Sequence, residues 1–140
     1  MLKLIRARRK NGEKGQALVE FALLVPIFLL LLFAIVDFGM GFYSWITVTN
    51  AAREGARLGV VMATAQQIED RVNQTADLPN ESTRMTVTVT NAQGQPGESV
   101  VVKVDYDYDL ITPLAGIVSF VSGSVGPTLT FSSTAEMRLE

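Results

Sequence analysis

The stretch KGQALVEFALLVPIFLLLLF, residues 14–33, sets a carboxylate, Glu20, at the start of a long apolar run. Residues 21–36 carry no charge, and from Ala17 to Ile46 the charged side chains are Glu20 and Asp37. A membrane span needs about 20 predominantly apolar residues, so this stretch is long enough to cross with some tilt. A charge within hydrocarbon costs roughly 2.5 to 3.5 kcal/mol on insertion scales, which makes Glu20 the residue to explain. Tyr43 and Trp45 follow, as expected for aromatic side chains at the outer membrane boundary. Pro26 removes one backbone donor and predicts a bend near residues 21–22.

Outward from that run, charge is distributed unevenly. Before Gly15 stand Lys3, Arg6, Arg8, Arg9, Lys10 and Lys14 against a single acid, Glu13. Removing these from totals of 12 basic and 14 acidic residues leaves 6 basic and 13 acidic from Gln16 onward, a net of −7. The basic cluster adjoins an apolar helix and has no interleaved aromatics, so it fits retention on the cytoplasmic side of a membrane better than nucleic-acid binding. A removable signal peptide usually has an apolar core of about 7 to 15 residues and a small-residue cleavage site. This run is longer and continues as helix; a plain membrane anchor remains open. Cysteine and histidine are absent, which removes disulfides, thiol nucleophiles, Cys/His zinc sites and the commonest general base. No convergent nucleophile and base can be named, and the expectation is a non-enzymatic chain without a cofactor.

The order Gly15, Gln16, Ala17, Leu18, Val19, Glu20, Phe21 after a basic leader resembles the processing site of type IV pilin-like precursors. TNAAREGARLGV (residues 49–60) and the ending STAEMRLE (residues 133–140) narrow the resemblance to the TadE-like family of tight-adherence (Flp) pilus pseudopilins. The resemblance implies that prepilin peptidase cuts between Gly15 and Gln16, leaving Glu20 as the fifth residue of the mature chain. The new α-amino group on Gln16 would have a reference pKa of roughly 7.7 to 8 and be largely cationic at neutral pH. Glu20 would then pair with that amine on the same or a neighbouring subunit, a use of buried opposite charges that fixes register more than it adds stability. Glu20 and Phe21 are the expected assembly residues. Without the leader, Glu20 would be read as an interfacial carboxylate favoured by the helix dipole. Asp37, seventeen residues on, points about 100° away around a straight helix, so the two acids are not a catalytic pair. Its position fits either the outer boundary or a polar contact with another helix.

Beyond the membrane the sequence keeps helical character, and a helix over residues 17–62 would be roughly 70 Å long at 1.5 Å per residue. Gly39 and Gly41 are expected to loosen it just outside the span. Ala52, Gly55 and Gly59 share one face and permit close approach; Arg53 and Arg57 share a neighbouring face, open to solvent or to acidic partners. All four of Arg53, Gly55, Arg57 and Gly59 are candidate subunit or packing contacts.

Residues 64–67, Thr-Ala-Gln-Gln, form a potential capping box for a short helix with Ile68 and Val72 on its apolar edge, stopped at Leu78-Pro79-Asn80. The period then changes from helical to two. Met85, Val87 and Val89 alternate with threonines; Val100, Val102, Val104, Tyr106 and Tyr108 form a second inward row, and Leu129, Phe131, Ser133, Ala135, Met137 and Leu139 a third. NAQGQPG (residues 91–97) fits a hairpin between the first two. The connection over residues 110–127 is too apolar for a solvated loop and predicts a short helix or a surface for a subunit or membrane. Asp105, Asp107 and Asp109 lie along one face of their strand, an exposed acidic face in preference to a metal loop.

The expected fold class is α+β: a long N-terminal hydrophobic helix, pilin-like, packed against a small antiparallel β-sheet. Residues 1–15 would be the cleaved leader, 16–46 the transmembrane and assembly helix, and 47–140 the extracytoplasmic helix continuation with a small α+β domain. The resemblance implies a minor pilin or pseudopilin in the bacterial inner membrane, single-pass with a cytoplasmic amino terminus, or in a surface pilus. Its partners would be prepilin peptidase, other pilin-like subunits, the tight-adherence membrane assembly machinery and lipid, with no nucleic acid. A single-pass anchored module that binds a partner without entering a filament is the alternative.

Overall fold

Helix α1 (Leu2–Val60) runs without a break through the apolar stretch, Pro26 included. The computed structural model describes residues 2–79, 81–123 and 128–139, with side chains from Gly15 onward except those of Glu81, Ser82 and Ser122. The leader side chains before Gly15, Asn80 of the expected helix stop, residues 124–127 of the apolar connection and Glu140 lie outside those described. The chain divides into two compact units, Met1–Val36 and Asp37–Glu140.

The first unit is helix alone. From Gly15 onward most of its large apolar side chains point outward: Phe21, Leu24, Ile27, Phe28 and Leu31 are all exposed. A helix that is apolar all round belongs inside a larger apolar body, either a protein core or a membrane. Among the described residues this helix is the one long and apolar enough to cross a membrane.

The second unit is an α+β layer. α1 ends at Val60, and Met62, with a φ of 63°, turns the chain out of the helix; then come α2 (Ala65–Thr75), the single turn α3 (Glu81–Arg84), β1 (Met85–Thr90), β2 (Ser99–Asp109), α4 (Leu114–Ser122) and β3 (Thr128–Arg138). The capping box forms as its spacing predicts: Gln67 N donates to Thr64 Oγ1 at 3.3 Å, and Thr64 N donates to Gln67 Oε1 at 2.9 Å. The three strands form an antiparallel sheet in the order β1-β2-β3. Val87 lies opposite Val104 and Val102 opposite Ala135, which keeps the apolar rows on one face. Val100, Val102, Val104, Tyr106 and Tyr108 are buried there together with Ile68 and Val72 of α2 and Val48, Ala51, Ala52 and Ala56 of α1. Leu129, expected to face inward, is exposed at its end of β3. The turn α3 was not expected; its four residues hold no apolar period to announce them.

Small residues let α1 approach the sheet. A Cβ on Gly55 would stand 2.5 Å from Val72 Cγ2 and 3.4 Å from Val102 Cγ1; one on Gly59 would stand 2.9 Å from both methyls of Val100. Neither site has room for it, because the methyls belong to fully buried side chains.

Candidate functional site

The segment that the sequence marks for function begins at Gly15, on the exposed surface of α1. Gln16 and Glu20 are one helical turn apart, and Gln16 Nε2 donates to Glu20 Oε1 at 2.9 Å. Both are exposed, as is Phe21 at 65 %. The carboxylate therefore already reaches back to the residue whose backbone nitrogen cleavage would free. An amine at Gln16 would be the first of the free N–H groups of a helix start, where negative charge within the first turn is favoured by the helix dipole.

Further along α1, Gly55 and Gly59 are buried within the chain's own core, whereas Arg53 and Arg57 face outward. Glu54 accepts from Arg71 at 2.7 Å, tying α1 to α2, and Arg57 sits 3.9 Å from the same carboxylate while remaining 78 % exposed. Arg53 makes no ion pair among the described residues. The guanidinium of Arg57 is thus loosely held and faces outward.

Asp37 is where the sequence reading was incomplete. It directly follows the charge-free run, yet its side chain is 2 % exposed. Oδ1 accepts the backbone N–H of Ile111 at 2.9 Å and of Thr112 at 3.2 Å, and Oδ2 accepts the hydroxyl of Thr112. The main-chain carbonyl of Asp37 accepts from Tyr108 Oη at 3.3 Å. Asp37 thus fixes the segment between β2 and α4 to α1, and Thr112 Oγ1 in turn accepts Leu114 N at 3.3 Å at the start of α4. The contact is polar, as one of the two expected readings had it, but its partner is a loop and not another long helix. The signal available in the sequence was the pairing of an isolated acid with a Thr-Pro turn starter, Thr112-Pro113.

Gly41 does not loosen α1, which stays helical through Gly39 and Gly41. A Cβ at Gly41 would lie 3.2 Å from the ring of Phe131, so this glycine lets that aromatic ring close on the helix. Phe131 also contacts Tyr108, ring centroids 5.9 Å apart. Between α1, α4 and β3 an apolar cavity of about 350 Å³ remains, with Phe38, Phe42, Leu114 and Val118 in its wall.

On the outer face of the sheet, the three aspartates of β2 are each met by a hydroxyl directly opposite on β3. Thr128 donates to Asp109 at 2.9 Å, Thr130 to Asp107 at 2.7 Å, and Ser132 to Asp105. Lys103 bonds Asp105 at 2.8 Å and Arg84 bonds Asp109 at 2.6 Å. The Lys103 ammonium and then the Ser132 hydroxyl hold the Asp105 carboxyl below its usual range. These are cross-strand pairs of the kind that stabilise a sheet.

Comparison with curated proteins and with solved structures gave no match. Residues 15–57 match the family model described as TadE-like protein, so the segment from Gly15 through Glu20 to Arg57 is TadE-like.

Proposed function

We propose that this chain is a minor pilin or pseudopilin of a tight-adherence pilus, held in the cytoplasmic membrane by α1, cleaved between Gly15 and Gln16, and built into or helping to start a filament. A TadE-like segment points to Tad pilus-related function, and the single observation that carries the finer reading is the bare surface of α1. Phe21, Leu24, Ile27, Phe28, Leu31 and Ile35 are exposed among the described residues, while Glu20, at the head of that run, sits a turn from the bond expected to be cut. Lipid would cover that surface before assembly and neighbouring subunits after it, with prepilin peptidase and the assembly machinery as the intermediate partners. Glu20 would be the key for register: unpaired in an apolar bundle it is costly, and paired with the Gln16 amine of a neighbour it is tolerated in only one axial position.

Replacing Gly15 with Ala tests the reading. In cells that contain the peptidase the wild-type chain is expected to shorten to one beginning at Gln16, and Gly15→Ala to keep its leader. Equal mature masses for the two would overturn the cleavage step and favour the anchored module instead.

A further inference from the structure

We propose that α4 is a membrane-docking element, whose outer face of Ile117, Phe120 and Val121 lies in the lipid of the same bilayer that α1 crosses. The inference rests on the reading of α1 as a span and not on assembly into a filament.

Three observations carry it. First, the face is apolar and bare: Phe120 is 90 % exposed and Val121 81 %, with Ile117 beside them at three- and four-residue spacing on one side of the helix. Phe120 and Val121 are the most exposed large apolar side chains among the described residues, more so than any on the span itself. Second, no charged residue occurs between Asp109 and Glu136, so neither α4 nor its flanks carry a charge. Third, the place of α4 is fixed. Asp37 is the first charged residue after the charge-free run, and its buried carboxylate holds Ile111 and Thr112 at the start of α4. The start of α4 is therefore tied to the residue of α1 that directly follows the apolar stretch, a few residues before Tyr43 and Trp45. Phe38 and Phe42 of α1, both exposed, share a cavity wall with Leu114 and Val118 of α4, so the apolar surface is continuous from one helix to the other.

A second copy of the chain could also cover such a face, but lipid is favoured by that continuity. A membrane that covers the apolar run of α1 would begin at the residues next to Asp37, which holds the start of α4. A short apolar helix lying at the interface gains roughly in proportion to the apolar area it buries. The docked α4 would also restrict how the outer domain turns about α1 while the subunit waits in the membrane.

The chain has no cysteine, so a single introduced thiol can carry an environment-sensitive fluorophore without further change. Full-length Phe120→Cys, Leu29→Cys and Thr88→Cys proteins, each labelled, would be placed in phosphatidylcholine–phosphatidylglycerol nanodiscs at one copy per disc. Leu29 reports insertion of the span, and Thr88, exposed on the outer face of the sheet, reports water. The expected result is emission at position 120 that is blue-shifted like that at 29, quenched by lipid-borne spin label, and protected at least fivefold from aqueous iodide relative to position 88. Iodide quenching at 120 equal to that at 88, with 29 protected, would overturn the proposal while leaving the span intact. Protection at 120 that appears only with several copies per disc would overturn it in favour of a second copy. Exposure of position 29 would overturn the span and the docking together.

Discussion

The two ends of α1 treat apolar side chains in opposite ways. Between Phe21 and Ile35 most side chains are large and exposed, whereas between Val48 and Gly59 the inward ones are small and buried. In the second stretch helix and sheet meet so closely that two positions admit no Cβ, and the contact is complete within one chain. In the first, the free energy of burial is left to be gained elsewhere, at about 25 cal/mol per Å² of apolar surface removed from water. Bulk in one half and its absence in the other therefore separate the contacts that hold the Asp37–Glu140 unit together from a surface left bare within the described residues.

Filling the tight seam should break this contrast most strongly. Gly55→Leu forces a side chain against Val72, Ile68 and Val102, and is expected to destabilise the Asp37–Glu140 unit by about 3 kcal/mol or more. Leu24→Ala, on the bare half, should leave the urea midpoint of that unit unchanged. Near-UV circular dichroism of the buried tyrosines in detergent micelles follows both. Equal losses from the two substitutions would mean that the halves are not independent.

The junction between the halves is the next test. Asp37→Ala leaves the N–H groups of Ile111 and Thr112 without their acceptor, at a cost of roughly 1 to 3 kcal/mol. Amide exchange at Ile111 and Thr112 should rise by at least tenfold, with exchange in the paired residues of β1 and β2 less affected. Unaltered exchange at those two amides would show that Asp37 is not what fixes the segment.

A smaller effect sharpens the account of the core. Burial pushes the phenols of Tyr106 and Tyr108 upward, and the nearby charge of Asp37 adds to this at Tyr108. The fold favours the neutral form of each, so their contribution is intact below the unfolded value of about 10 and is lost as pH rises through the higher folded values. The urea midpoint should fall above about pH 10, and less steeply in the Tyr106→Phe/Tyr108→Phe variant. Identical alkaline profiles would contradict that assignment. Arg57→Ala, at the smallest end, should change stability by less than about 0.5 kcal/mol, because the ion pair with Glu54 is long and exposed. An effect on filament yield without one on stability would place Arg57 at a subunit contact.

Much of this contrast was legible in the residues. A run without charge, an alternation of period two and the spacing of Thr64 and Gln67 are local patterns, and each produced the element that its period implies. The long inward row from Val100 to Tyr108 carried the sheet in the same way. What the sequence did not yield depends on partners far along the chain. Asp37 meets Ile111 and Thr112, 74 and 75 residues later, and no local period links them. The acidic row of β2 was readable as an exposed face. Its pairing with Thr128, Thr130 and Ser132 emerged only once the strand register was known. Gly41 reads as a weak point in a helix until Phe131 is seen against it.

The proposed role depends above all on the bond between Gly15 and Gln16. Intact-mass and amino-terminal analysis of the chain recovered from sheared surface filaments, beside the chain recovered from membranes, tests it most directly. The account predicts a filament-borne chain that begins at Gln16 and retains Glu20 as its fifth residue. A chain in those filaments that still carries residues 1–15 would contradict it.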